Sequence, residues 1–198
     1  ISPDYRRLLY LGTEGIKKRI EDKLLEVKEE KNVNFLKAAE ISLEGLEIFG
    51  ENHRQMLLKR AETCEDKARK EELLADAKAL ERVPKKPAAT FFEACQSVWL
   101  LHLALQLTDN YLALGRPDQY LYPFLEKDLE EGRLTVNQAQ EITDCFMLKF
   151  NERSQDNEVA AQMMDLERRQ KKFDQQWEER KLYDIGHQRY NIRDTVDA

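Results

Sequence analysis

The sequence predicts a mainly helical protein with little or no strand. Of its 198 residues 35% are charged, only seven are glycine and five are proline, and the mean hydropathy is −0.72. Apolar side chains recur at three- and four-residue intervals along these charged stretches, which is the pattern of amphipathic helices. Two capping boxes, each a threonine followed three residues later by a glutamate or glutamine, mark helix starts. Disorder would lack this apolar spacing, so the pattern favours helices.

Long helices are predicted in the first 83 residues. Ser2-Pro3-Asp4 suits a helix start, with a capping hydroxyl and a proline at the first helical position. This helix is expected to run to about Glu30. A turn is predicted over 32–34 and a second helical region over 35–81. Four glycines are candidate breaks within these two regions: Gly12, Gly15, Gly45 and Gly50.

Residues 84–152 hold the most distinctive sequence. Two prolines end the preceding helix, because a residue before proline leaves helical geometry. Thr90 and Glu93 then form the first capping box. The helix that follows, over 91–107, is apolar nearly all round, which is typical of a helix buried on several sides. We therefore expect it to be poorly covered by the rest of this chain and to leave an exposed apolar patch.

Further helices are predicted towards the end of the chain. A break over 108–114, with a short strand as the alternative, precedes a helix over 120–131 that Gly132 ends. The second capping box, at Thr135, opens a helix that runs to about residue 152.

The chain is predicted to form a single helical region over 1–198. Its three parts are the long helices of 1–83, the distinctive segment 84–152, and 153–198. The last part holds a charged helix over 158–181 and a terminal connection. Four acidic residues near the end of the 120–131 helix are expected to form an exposed flank: Glu126, Asp128, Glu130 and Glu131.

Composition argues against several classes of function. The net charge is −6, and lysines and arginines alternate with acids, so no nucleic-acid partner is expected. No apolar run suits a membrane span, and the three histidines lack metal-ligand spacing, so neither a membrane nor a metal is expected. No pair among the three cysteines is close enough to suggest a disulfide framework. A reducing cytoplasm is the expected setting. The cysteines are Cys64, Cys95 and Cys145.

Five motifs occur in order between residues 83 and 152. They are Val83-Pro84; Pro-Ala-x-Thr-Phe-x-Glu-Ala-x-Gln over 87–96; Gly-Arg-x-Asp-Gln-Tyr-x-x-Pro over 115–123; an acidic helix ending in glycine over 126–132; and Leu148 to Glu152. Together they resemble the glycyl radical enzymes, the superfamily of pyruvate formate-lyase and the diol dehydratases. The resemblance extends from about Ser2 to Glu152, the N-terminal to central portion of such an enzyme.

The resemblance implies a ten-stranded α/β barrel with helices outside it, to which this chain would contribute helices. In that family a glycyl radical takes hydrogen from a cysteine, and the thiyl radical attacks the substrate. A separate radical S-adenosylmethionine activase installs the glycyl radical. The family's Gly-Cys-x-Glu and Arg-Val-x-Gly-Tyr motifs have no match here, so no catalytic residue and no bound cofactor are expected in this chain.

Two residues are candidate substrate ligands, and only in an intact barrel: His102 and Arg116. For His102 the alternative is a hydrogen-bonded core histidine. For Arg116 it is a fixed ion pair with Asp118, because buried charges need partners. The residues that carry the family motifs are expected to be structural: Thr90, Glu93, Gln96, Gly115, Arg116, Asp118 and Gln119.

Two functions remain open from the sequence. The first is a piece of a glycyl radical lyase or dehydratase that supplies scaffold helices and is inactive alone. Its partners would be the rest of the parent polypeptide, the activating enzyme, and a second copy through exposed apolar surface. The alternative is a non-catalytic helical interaction or subunit protein related to that family.

Overall fold

The computed structural model describes residues 3–107 and 112–150, which are helical and irregular with no strand. The prediction of a mainly α protein is confirmed. Five helices are complete within these ranges, and a sixth, α6, covers 136–150, where the described residues end. The complete helices are α1 (Tyr5–Glu26), α2 (Glu30–Glu62), α3 (Lys67–Arg82), α4 (Phe91–Gln106) and α5 (Pro117–Glu130). The helix predicted over 158–181 and most of the alternative strand lie outside the described residues.

Residue contacts divide the chain into two compact units, 1–146 and 147–198. Helices α1 to α5 lie in the first unit.

Within the described ranges, none of the helices combines the length and the apolar character needed to cross a membrane.

Helix α1 is broken at one of the two predicted glycines. Asp4 caps its start by accepting a hydrogen bond from the Arg7 amide (3.1 Å). Gly12 has φ 65° and ψ 175°, a backbone conformation that side chains with a Cβ rarely adopt. Gly15 keeps helical geometry, so it is not a break.

The turn predicted over 32–34 is wrong, because these residues lie in the first turns of α2. The second region does divide into two helices, but at 63–66 and not at a glycine. There Asp66 caps α3 through the amides of Ala68 and Arg69 (2.9 and 3.2 Å). A glycine inside a helix costs only about 1 kcal/mol against alanine, and packing outweighs that cost.

The core is centred on α4. Helix α2 packs chiefly on α3, and α4 contacts α1, α2, α3 and α5. An added Cβ at Gly50 would come within 3.0 Å of the Leu100 side chain, so the glycine permits the close approach of α2 and α4. The largest fully buried apolar side chains are Tyr5, Leu9, Val83 and Val98.

Every residue of α4 itself is buried or half-buried. Seven of its residues are buried, whereas Trp99, Leu101 and Leu105 are partly exposed and Leu107, at its C-cap, is 70% exposed. Four apolar residues of α1 and α2 are 62–87% exposed, namely Leu25 (87%), Phe35 (72%), Ile41 (67%) and Ile48 (62%). The exposed apolar surface predicted for α4 is therefore found mostly on other helices.

We expect Gly12→Ala to lower the free energy of unfolding by about 3 kcal/mol, because alanine at this φ is strained and its Cβ would overlap the Lys85 carbonyl oxygen. The matched control is Gly45→Ala, at an open helical site, which should stabilise by about 0.5–1 kcal/mol. Urea unfolding measures both. A Gly12→Ala variant within 1 kcal/mol of the parent chain would contradict the predicted strain.

Candidate functional site

The connection over 83–90, which carries the first motifs, crosses α1 where that helix is broken. The amides that start the second half of α1 and a carbonyl near the end of its first half have no partners inside the helix. The connection supplies those partners, and we call the contact the Gly12 junction. Its hydrogen bonds run from Thr13 N–H to the Pro84 carbonyl (2.9 Å), from Glu14 N–H to Lys85 (3.1 Å), and from Ala88 N–H to Leu9 (3.0 Å).

A carboxylate from α5 holds the other end of the connection. Asp128 Oδ2 accepts a hydrogen bond from the Phe91 amide (2.7 Å), the first amide of α4. Its Oδ1 accepts two from Arg133, from Nε at 2.9 Å and from a terminal guanidinium nitrogen at 2.6 Å. Asp128 is 1% exposed. The prediction that it belongs to an exposed acidic flank is wrong, because α5 turns this one carboxylate towards the start of α4.

The first capping box is present with one change of partner. The Thr90 hydroxyl accepts from the Glu93 amide (3.2 Å), as predicted, whereas the Glu93 carboxylate accepts from the Ala89 amide (2.7 Å) and not from that of Thr90. Arg82 donates to the Pro87 carbonyl (2.8 Å) and lies 3.6 Å from Glu93. These motif side chains therefore hold the connection in place.

The second capping box is present in full. Thr135 N–H donates to the Gln138 side chain (2.9 Å), and Gln138 N–H donates to the Thr135 hydroxyl (3.3 Å). Gly132, with φ 68°, follows the C-cap of α5 as predicted.

His102 lies in a buried aromatic cluster. The Tyr5 hydroxyl is 2.8 Å from His102 Nδ1, and Gln106 Nε2 is 2.9 Å from His102 Nε2. A neutral imidazole carries one N–H, so the ring donates one of these two hydrogen bonds and accepts the other. The ring of Tyr120 lies 5.6 Å from that of Tyr5, and its hydroxyl donates to the Leu114 carbonyl (2.9 Å). This arrangement is that of a hydrogen-bonded core histidine, the alternative given above; the role of His102 as a substrate ligand stays a prediction.

Arg116 and Asp118 form the ion pair offered as the alternative to substrate binding. Two hydrogen bonds join the guanidinium and the carboxylate, at 2.9 and 2.6 Å, and both side chains are more than half exposed. The bond to Arg116 holds the pKa of the Asp118 carboxyl below its usual range. Gly115 next to them has φ 74°. The role of Arg116 as a substrate ligand stays a prediction.

Gln96 joins two helices. Its side-chain amide donates to Asp76 of α3 (2.9 Å), and burial raises the pKa of that carboxyl. Gln119, the remaining motif residue, is exposed in the first turn of α5.

The described residues assemble no recognisable catalytic centre. No group of three or more His, Cys, Asp or Glu side chains among them could hold a metal ion. Burial raises the pKa of the Cys95 thiol to about 12, so this cysteine stays a neutral thiol at physiological pH. A shallow hollow of about 220 Å³ contains Glu47 and Glu51, but hydrogen bonds from Arg54 and Gln55 lower the pKa of Glu51 to about 2. Neither carboxylate offers a proton near neutral pH.

Glu47 is also occupied structurally. It accepts from the buried Thr13 hydroxyl and from Lys17 (2.8 Å). Burial works against its ionisation, but these two hydrogen bonds outweigh burial and lower its pKa. The carboxylate therefore ties α2 to the second half of α1.

Comparison with known proteins agrees with this scaffold. The family model described as "Pyruvate formate lyase-like" matches residues 1–165. Isethionate sulfite-lyase of Desulfovibrio desulfuricans is 34% identical over 158 residues, which are 75% of this chain and 19% of that protein. A solved structure of a glycyl radical enzyme from Archaeoglobus fulgidus superposes with a TM-score of 0.65 at 34% identity, over 72% of this chain and 19% of that chain.

A second solved structure, described for 1,2-propanediol dehydration in Roseburia inulinivorans, has a TM-score of 0.72 and 35% identity. The match covers 75% of this chain and 18% of that chain. The matched part of the chain thus shares its fold with part of these glycyl radical enzymes. The chain belongs to the pyruvate formate lyase-like family. It spans about a fifth of the length of the curated relatives it matches.

We expect Asp128→Asn to lower the free energy of unfolding by about 3 kcal/mol. The change removes the charge that Arg133 faces in a buried site and weakens the bond to the Phe91 amide. Glu126→Gln, on the exposed side of the same helix, is the control and should change stability by less than about 0.5 kcal/mol. Equal effects of the two substitutions in urea unfolding would rule out a special role for Asp128.

Alkaline pH tests the aromatic cluster. Burial raises the pKa of Tyr5 to about 12, from an ordinary value of 10.0, so the folded state favours the neutral phenol. The contribution of Tyr5 to the free energy of unfolding is therefore fully present below pH 10 and is lost as the pH rises from 10 to 12. In Tyr5→Phe the free energy of unfolding should fall less steeply between pH 10 and 12 than in the parent chain. In Tyr10→Phe, at a half-exposed tyrosine, it should fall as steeply as in the parent chain. An unchanged slope in Tyr5→Phe would contradict the assignment.

Proposed function

We propose that this chain is the helical N-terminal to central portion of a glycyl radical lyase or dehydratase, and that its role is to scaffold the enzyme's barrel. One observation carries the proposal: the motif residues of the 83–90 connection and its flanks are engaged in holding helices together. Thr90, Glu93 and Gln96 each bond to backbone or side chains of this chain. The family likeness adds that related proteins extend to about four times this length.

In the proposed parent enzyme the chemistry belongs to other polypeptide. A glycyl radical and a cysteine, both outside the segment matched here, would carry out the radical step, after activation by a radical S-adenosylmethionine enzyme. This chain alone would bind no cofactor and would be inactive. The related proteins include a sulfite-lyase and a trans-4-hydroxy-L-proline dehydratase, so a lyase or dehydratase reaction is favoured over acyl transfer.

Within an intact barrel, His102 and Arg116 would be the residues of this chain that contact the substrate. His102 already bonds to Tyr5 and Gln106, so substrate contact would require this network to rearrange. Arg116 is more accessible, with its guanidinium largely exposed beside Asp118. We place the assembled enzyme in the cytoplasm, where reducing conditions would keep its cysteines as free thiols.

The alternative is a helical interaction protein that shares these helices but has no radical partner. The capped helices and the continuous core of residues 5–146 are compatible with independent folding. The two functions differ in whether the chain can replace the matching segment of an active relative.

The test is a chimera in which residues 1–150 replace the aligned segment of the D. desulfuricans isethionate sulfite-lyase. After incubation with that enzyme's own activase, we expect a glycyl radical signal by electron paramagnetic resonance. The same chimera with Gly12→Ala is the control, and it should lose soluble protein or radical yield. The isolated chain should give no signal.

A chimera that folds but forms no radical would overturn the scaffold proposal. It would favour the interaction protein if the isolated chain also melts cooperatively as a single species. A radical signal from the isolated chain would overturn the proposal that it is inactive alone.

A further inference from the structure

One long face of α2 is exposed to solvent within the described part of the first unit, and at Ile48 it borders the hollow that Lys85 also lines. The helix is 33 residues long but buries only three of them, Leu46, Gly50 and Ala61. At about 100° per residue, these three lie within about 60° of one another around the helix. Ile41 and Ile48, which are 67% and 62% exposed, lie on the opposite side. A second element can therefore approach them without disturbing the packing of α2.

The two isoleucines are the centre of a line of exposed residues. Glu30 and Lys59 fall within about 20° of Ile41 and Ile48 around the helix, and all four are exposed. Together the four span about 43 Å along α2 at 1.5 Å per residue. We call this line the α2 seam. It has an apolar middle, an acidic N-terminal end and a basic C-terminal end.

The seam is complementary to itself when it runs antiparallel to a second copy. A two-fold axis that passes between the two helices, level with the midpoint of residues 44 and 45, places Ile41 opposite Ile48 of the other copy, and the reverse. The same axis places Glu30 opposite Lys59, so each end of the seam meets the opposite charge. The flanking exposed polar residues also pair under this symmetry, Asn34 with Gln55 and Lys37 with Asn52.

This symmetry is what an interface between identical subunits requires, since in such an interface residue i contacts j while j contacts i. In paired helices, two features determine which helix binds which and in what orientation. They are opposite charges at the edges of the interface and branched apolar residues at its centre. A seam with only two isoleucines per copy buries a modest area, so the association is expected to be weak, with a dissociation constant in the micromolar range.

We propose that the α2 seam is a dimer interface at which two copies of this chain pair α2 with α2 in antiparallel orientation. The self-association expected from the sequence is thereby assigned to α2 and not to α4. It rests on exposed residues of one helix and is independent of any radical chemistry.

Sedimentation velocity of the 198-residue chain at increasing concentration is the first test. We expect a monomer–dimer equilibrium and a dissociation constant raised at least tenfold by Ile41→Glu, which places a carboxylate against Ile48 of the other copy. The control is Leu25→Glu, at an 87% exposed leucine outside the seam, which should leave the equilibrium unchanged. A monomer at all concentrations up to about 100 µM, or equal effects of both substitutions, would overturn the proposal.

The orientation is tested by exchanging the end charges at low salt. Glu30→Lys or Lys59→Glu alone creates two like-charged contacts per dimer and should weaken association about fivefold. The double variant restores opposite charges at both ends and should recover the parent affinity. Additive weakening in the double variant would contradict the antiparallel pairing, as would a greater loss of affinity.

Cysteine cross-linking tests the register without relying on charge. In a background with Cys64→Ser and Cys145→Ser, a chain with Ile41→Cys mixed with one carrying Ile48→Cys should form a disulfide-linked dimer under mild oxidation. Either variant alone should not, because residues 41 of the two copies would be about 10 Å apart along the seam. Linkage of single variants to themselves, or no linkage in the mixture, would overturn this register.

Discussion

The fold depends on finding hydrogen-bond partners for backbone that is not helical. The connection over 83–90 contains two prolines and cannot satisfy its own amides and carbonyls, and parts of it are buried. An unpaired buried backbone group costs about as much as a lost hydrogen bond, so each needs a partner from elsewhere. The break of α1 at Gly12 supplies one set, and Asp128 supplies the partner of the Phe91 amide. Helices α1, α4 and α5 are positioned relative to one another by these two contacts.

This constraint explains why the motifs of a radical enzyme family lie here without forming a reactive centre. Thr90 and Glu93 cap the start of α4, and Gln96 bonds to Asp76. The side chains that could act as acids or bases therefore form hydrogen bonds that join the helices. In the proposed enzyme such a scaffold would hold the reactive loops on rigid elements. Family membership and the proposed scaffold role follow from the same residues.

Sequence patterns predicted what depends on local chemistry. The capping residues Thr90 and Thr135, the stop at Gly132 and the helical class are all set within one or two turns of chain. The length of α2 was not predictable, because the helix continues through Gly45 at an open site and through Gly50 where it packs on α4. Asp128 was missed for a related reason: its neighbours in sequence are exposed acids, and only the approach of α4 distinguishes it. Tyr5 was missed because its partner, His102, is 97 residues away.

Hydrogen exchange of the Phe91 amide tests the central claim most directly. The first amides of a helix ordinarily lack intrahelical partners and exchange quickly. If the buried Asp128 carboxylate holds this amide, its protection should approach that of the interior amides of α4, such as Val98, which is fully buried. An exchange rate within about tenfold of that of an unfolded chain, while Val98 stays protected, would contradict the account.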